Sequence, residues 1–157
     1  MPINTVSKFL QKALLSLLFG SLLSDQAWSA SLTGQVFSVQ SGDQITLSTS
    51  SNQFHKIKLL GIESPQVNTY QGRLSQKYLQ MLLAGKFVTI VYHSLTPQGT
   101  ILGQVLHGGV DMNQRMIEAG RARFITQRGM DQHMIDTYVA SQESSQRKGV
   151  GMWGKNH

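Results

Sequence analysis

Several residues that could do chemistry stand close together in the first half of this sequence. Asp43 follows a glycine between two strand-like segments, and Lys58, Glu63 and Gln66 lie within one nine-residue run. Carboxylate oxygens are the ligands that hard divalent cations prefer, and a lysine ammonium contacts phosphate as a point charge. These residue types suit a metal or anion site, although Gly-Asp is also ordinary turn chemistry and a carboxylate at a strand end can simply be solvated.

Alternating, β-branched segments supply the strands that must position these residues. Residues 32–47 predict two strands broken at Gly42-Asp43, and residues 54–62 predict a third that ends at Ser64-Pro65. Residues 87–92 and 101–106 predict a second hairpin, joined by a polar turn at Pro97-Gln98-Gly99. The strand pattern is therefore three strands, then two.

Apolar residues at three- and four-residue spacings predict three helices. The first covers residues 72–84 and stops at Gly85. A short second helix follows Asp111, which with Gln114 resembles a capping box. The last covers residues 131–148, with Met134, Ile135, Tyr138 and Val139 expected to face the core. Five strands and three helices in this order predict a single α+β domain.

The N-terminal residues 1–29 have the composition of a signal peptide. Two lysines precede an apolar run at residues 13–23 that is short for a membrane span, and small residues occupy Ala27 and Ser29. We expect export to the periplasm or the medium, a domain at residues 30–157 and no membrane span after cleavage. An uncleaved N-terminal anchor is the alternative.

Charge and cysteine content narrow the classes of partner. Removing residues 1–29 leaves 12 basic and 7 acidic residues, a net charge of +5, which favours polyanions without giving specificity. The chain has no cysteine, so disulfides and thiolate metal sites are excluded. The five histidines have no zinc-like spacing.

Five local motifs in a fixed order give this chain a family resemblance. They are Gly42-Asp43, Leu59 to Pro65, Gly85-Lys86-x-Val88, residues 110–113 with 119–122, and residues 149–153. Together they resemble the staphylococcal nuclease family over residues 32–153. The resemblance implies a five-stranded OB-fold β-barrel with three helices. It also implies phosphodiester cleavage with calcium, an acidic residue as general base and two phosphate-binding arginines.

The metal ligands of the family correspond to Asp43, Glu63 and the backbone carbonyl of Ser64. Glutamate is one methylene longer than the aspartate the family has at the second position, so the resemblance implies a weak calcium site at most.

Three further family positions are substituted. Gln66 stands where the general base is expected, and an amide cannot accept a proton near pH 7, which costs about 10²- to 10⁴-fold in rate. Lys58 keeps the charge of the first arginine but not its two-pronged contact. Thr100 follows Gly99 where the second arginine is expected, and it carries no charge.

These substitutions predict a domain that is catalytically impaired and acts by binding nucleic acid or a protein partner. Lys58, Arg121 and Arg123 are the expected nucleic-acid contacts, the last two lying beside Phe124, although an arginine cluster of this kind can equally be a solvated face. The alternatives are a calcium-dependent endonuclease of weak or altered activity on DNA or RNA, and an envelope interaction module without a nucleic-acid role.

Overall fold

The computed structural model describes residues 29–154, so the predicted signal peptide lies outside the described residues except for Ser29. These residues form eight strands, three helices and one 3₁₀ turn at Gly151–Trp153. The strands are β1 (Ala30–Ser41), β2 (Gln44–Ser48), β3 (Phe54–Leu59), β4 (Ile62–Glu63), β5 (Phe87–Leu95), β6 (Ile101–His107), β7 (Val110–Asp111) and β8 (Arg123–Phe124). The helices are α1 (Tyr70–Leu83), α2 (Met112–Glu118) and α3 (Gln132–Lys148).

Five of the strands close into a barrel. They follow the order β3-β2-β1-β5-β6, and β3 pairs in parallel with β6 to complete the ring, with Ile57 opposite Ile101 and Leu59 opposite Gly103. All other pairings in the barrel are antiparallel. The predicted α+β fold, a five-stranded barrel with three helices, is confirmed.

Alternation along the strands fills the barrel with branched apolar side chains. Side chains at the inward positions are almost fully buried. Burying one apolar side chain of this size stabilises the folded state by about 1.5–3 kcal/mol. Leu79 and Leu83 on α1 join the same core. The inward strand residues include Val36, Ile45, Leu47, Ile57, Leu59, Val88, Ile90 and Val105.

The prediction for the third strand was wrong at its end. The strand stops at Leu59, because the chain turns at Gly61, whose φ of +77° favours glycine. The next two residues form β4, which pairs with β8 instead of extending the barrel, with Glu63 opposite Arg123. This turn moves Glu63 off the barrel wall.

Two details of the helices also differ from prediction. Val139 lies on the exposed side of α3 rather than in the core, because Tyr138 beside it takes the inward position. Asp111 does cap α2 by accepting the Gln114 amide, but the Gln114 side chain bonds Glu118 and Ser141 rather than returning to Asp111. Within residues 29–154, no helix is long and apolar enough to cross a membrane.

Polar side chains attach α2 to the barrel and α3 to the start of α2. Asn113 accepts the Val105 amide through Oδ1 and donates to the carbonyls of Leu60 and Gly103 at 2.9 and 3.1 Å. The Tyr138 hydroxyl donates to Asp111 Oδ2 at 2.7 Å. Burial and the neighbouring Asp111 carboxylate raise the pKa of Tyr138, so the phenol stays protonated and keeps donating.

We expect Asn113→Ala to lower the free energy of unfolding by about 2–4 kcal/mol, measured by urea denaturation. The substitution leaves the Val105 amide and the Leu60 carbonyl without their side-chain partner in a dry interior. Gln98→Ala in the exposed β5–β6 turn is the control, with a change within about 0.5 kcal/mol. An Asn113→Ala protein as stable as the control would contradict the anchoring role.

Candidate functional site

Asp43 is a buried carboxylate whose two oxygens are held by other parts of the chain. It lies in the β1–β2 turn and is 4% exposed. Its Oδ1 accepts the Ser41 hydroxyl at 2.6 Å and the Ser64 hydroxyl at 3.0 Å. Its Oδ2 accepts the Ser64 amide at 3.3 Å and lies 3.4 Å from Lys58 Nζ. Four donors therefore occupy this carboxylate.

The neighbours of Asp43 come from three segments that the barrel brings together. Lys58 lies on β3 and pairs with Gln44, the residue that follows Asp43 in the chain. This strand register places the Lys58 ammonium beside the β1–β2 turn. Ser64 follows β4 directly. The charge on Asp43 is thus neutralised by a lysine that is itself only partly exposed.

Glu63 faces a different cation. The β4–β8 pairing sets it opposite Arg123, and its Oε2 accepts Nε of the guanidinium at 2.8 Å together with a second, shorter contact from the same group. Both side chains are substantially exposed. Glu63 and Asp43 are therefore paired with separate cations rather than with each other.

An open cleft of about 300 Å³ lies beside these pairs. Its position depends on Gly72 in the first turn of α1, where a Cβ would overlap the carbonyl of Gln66. That carbonyl also accepts the amide and hydroxyl of Thr69, the residue that caps α1. The cleft is lined by Glu63, Ser64, Pro65, Gln66, Arg123 and Met152.

Thr100 and Arg121, which the sequence assigned to the site, do not line this cleft. Thr100 ends the β5–β6 turn, where it exchanges hydrogen bonds with Thr96, and the parallel register places it beside the Lys56–Ile57 part of β3. Arg121 precedes β8, and its carbonyl accepts the Ser75 hydroxyl of α1. The structure brings together Asp43, Lys58 and Ser64 in one group, and Glu63, Ser64, Gln66 and Arg123 in the other.

Calcium does not fit the arrangement of donors found here. Calcium takes six to eight oxygens, whereas the oxygens of Asp43 already accept four donors and Glu63 is bound to a guanidinium. Within residues 29–154, no three histidine, aspartate or glutamate side chains come together closely enough to hold a metal ion. A calcium ion would have to displace the Lys58 ammonium from Asp43.

Sequence reasoning missed two residues and one pairing at this site. Ser41 binds Asp43 two positions away, a local bond that the Ser-x-Asp spacing could have indicated. Met152 reaches the cleft from the 3₁₀ turn, and nothing in its sequence context signals that. The pairing of Arg123 with Glu63 was also missed, because strands of two residues are too short to show a period.

Comparison with known proteins gives a consistent family. Residues 56–155 match the family model described as staphylococcal nuclease homologue. A relative from Escherichia coli named "uncharacterized endonuclease" is 34% identical over 125 residues, which is 79% of this chain and 78% of the relative. A relative of the same name from Haemophilus influenzae is 28% identical over 80% of this chain and 68% of its own length.

We expect millimolar calcium chloride to leave the melting temperature unchanged relative to sodium chloride at equal ionic strength. A ligand present at 100 times its Kd would add about 2.7 kcal/mol of stability, and the occupied oxygens of Asp43 leave no such site. Differential scanning calorimetry measures the shift. A calcium-specific rise that disappears in Asp43→Asn, and persists in the control Asp136→Asn on α3, would contradict this arrangement.

The Glu63–Arg123 pair should couple weakly. Exposed ion pairs contribute about 0.2–1 kcal/mol and are screened by salt, so a double-mutant cycle of Glu63→Gln and Arg123→Gln should give a coupling in that range at 0.15 M salt. The exposed Glu143–Arg147 pair on α3 provides a matched cycle. Coupling above about 2 kcal/mol that salt does not reduce would show that Arg123 is not free to change partner.

Proposed function

The chain belongs to the staphylococcal nuclease homologue family, and from that premise we propose that it binds nucleic acid at the Glu63–Arg123 cleft while its hydrolytic activity is strongly impaired. Export of the domain, supported by the composition of residues 1–29, is part of the same proposal. Membership of a nuclease family supplies the class of ligand; the residues of this cleft supply the argument for impairment.

One observation carries the impairment. Glu63 is the only carboxylate that lines the cleft among the described residues, and it is bound to Arg123. The Oε2 atom of Glu63 already accepts hydrogen bonds from the Arg123 guanidinium. Gln66, at the family position of the general base, presents an amide that cannot accept a proton from water. A water molecule in this cleft therefore lacks the general base that the family has at the position of Gln66.

The cations at the site remain suited to phosphate. Arg123 is 61% exposed at its side chain, and Glu63 takes only part of its five N–H donors. Because exposed ion pairs are weak, a phosphate oxygen can replace or share the Glu63 contact at small cost. Lys58 adds a partly exposed positive charge beside the cleft-lining Ser64. Phosphate binding thus survives the loss of the base.

A weak endonuclease is the second candidate. It is favoured by the name of the relatives, which match this chain at up to 34% identity over four fifths of its length. In this case the reaction would proceed without a general base at position 66, which is Gln66, and without a positive charge at Thr100. Water would then attack with only Lys58 and Arg123 stabilising the charge that develops on the phosphate.

We expect the protein to bind a fluorescent DNA oligonucleotide with salt-dependent affinity but to cleave it negligibly. The Gln66→Glu, Thr100→Arg double variant should cleave the same DNA faster than the unmodified protein, because it restores a base and a cation at the family positions. Rates are compared by gel analysis of product over time. A positioned base alone is worth about 10²- to 10⁴-fold, so the gain should be easily measured.

The single variants Gln66→Glu and Thr100→Arg are the matched controls, and each should recover less activity than the pair. Cleavage by the unmodified protein that is lost in Asp43→Ala would favour the endonuclease instead. Absence of DNA binding at low salt would leave the envelope interaction module, with a protein partner, as the surviving interpretation.

A further inference from the structure

Three phenylalanines lie on the outer face of the barrel with their rings largely in solvent. Phe37 and Phe87 are each 68% exposed, and Phe54 is 56% exposed. The rings of Phe37 and Phe54 meet edge to face, with centroids 4.9 Å apart. Large aromatic side chains normally contribute to cores or interfaces, and the core here is already filled by the inward residues of the same strands.

Strand register shows that these rings share one face. Phe87 pairs with Gln35, Gln35 with Ser48, and Ser48 with Phe54, so one row of outward positions crosses four strands. At about 4.8 Å between strands, Phe87 and Phe54 lie roughly 14 Å apart. A bulge in β1 next to Phe37 brings its ring over Phe54. We call Phe37, Phe54 and Phe87 the aromatic row.

Charge on this side of the molecule is almost entirely positive. Residues 64–110 contain no aspartate or glutamate, and residues 29–62 contain only Asp43, which is buried and paired with Lys58. Alternation along β3 places Lys56 and Lys58 on the same face as Phe54. Lys86 precedes Phe87 directly and is exposed. Cations therefore flank the aromatic row at both ends.

The aromatic row also connects with the candidate site. From Phe54, the outward face of β3 leads through Lys56 to Lys58, which contacts Asp43. Four residues of strand cover roughly 13 Å. A strand of nucleic acid held at Lys58 can thus continue along β3 to the aromatic pair.

We propose that the aromatic row is a second binding site, at which the bases of single-stranded nucleic acid stack while Lys56 and Lys86 contact the backbone. This proposal rests on the proposed function. Single strands are bound without sequence preference by aromatic side chains in a basic groove. Polar groups between the rings, such as Gln35 and Ser48, suit base edges, whereas a lipid surface requires a continuous apolar area.

The test measures the affinity of the full chain for a fluorescent oligothymidylate of about 12 nucleotides, within the range that one OB fold covers, by anisotropy at low salt. Phe37→Leu with Phe54→Leu keeps apolar area but removes the π faces. This double variant should bind about 5- to 100-fold more weakly. Phe37→Tyr with Phe54→Tyr should bind like the unmodified protein. Met81→Ala, an exposed apolar residue on α1, is the control and should have no effect.

The outcomes separate this site from the cleft. Binding by the unmodified protein with no loss in the leucine variant would overturn the stacking site and leave the proposed function standing. No binding by the unmodified protein would overturn both. The third outcome is that the leucine and tyrosine double variants both bind DNA normally, but the leucine variant no longer binds vesicles of phosphatidylglycerol. In that case the face is a lipid-binding surface and the proposal is wrong.

Discussion

The contact on which the site depends is the neutralisation of Asp43. A carboxylate this deeply buried is costly unless it is paired and hydrogen-bonded, and Ser41, Ser64 and Lys58 supply both. In doing so they tie the β1–β2 turn, the segment after β4 and the end of β3 to one point. A turn, a loop and a strand are thereby fixed relative to each other. Their arrangement determines the shape of the cleft beside Ser64.

The same contact changes which ligands the site can bind. Two carboxylates that could share a divalent cation are each paired with a side-chain cation of this chain, Asp43 with Lys58 and Glu63 with Arg123. Negative charge at the site is therefore already balanced. What remains accessible is the outer side of the two cations, which suits an anion better than a metal.

Sequence patterns predicted the scaffold well, because alternation and helical spacing report burial directly. The barrel strands, α1 up to Gly85 and α3 after Asp131 all lie where those patterns indicated. The errors lie where local signals are short: the extent of β3 depended on a single turn at Gly61, and Val139 was assigned to the core from one helical spacing.

The site was predictable in residue identity but not in pairing. Sequence motifs predicted four residues of the site, which are Asp43, Lys58, Glu63 and Gln66. No sequence pattern predicted that Arg123 would face Glu63. That contact depends on β4 and β8, two strands of two residues each that are separated by the 59 residues 64–122. Tertiary placement of this kind is set by how α2 packs on the barrel through Asn113, and local sequence does not record it.

The uneven placement of carboxylates has a kinetic consequence. Beyond Glu63, the exposed acidic side chains among the described residues belong to the C-terminal part of the chain, whereas the barrel and α1 present lysine and arginine. The barrel side therefore carries few of the carboxylates that repel a diffusing polyanion, which favours one orientation of encounter. The barrel side would turn toward the partner before any contact forms. Encounter rate and the lifetime of the bound state then depend on different residues, so the molecule can be quick to capture a strand and yet slow, or unable, to cut it.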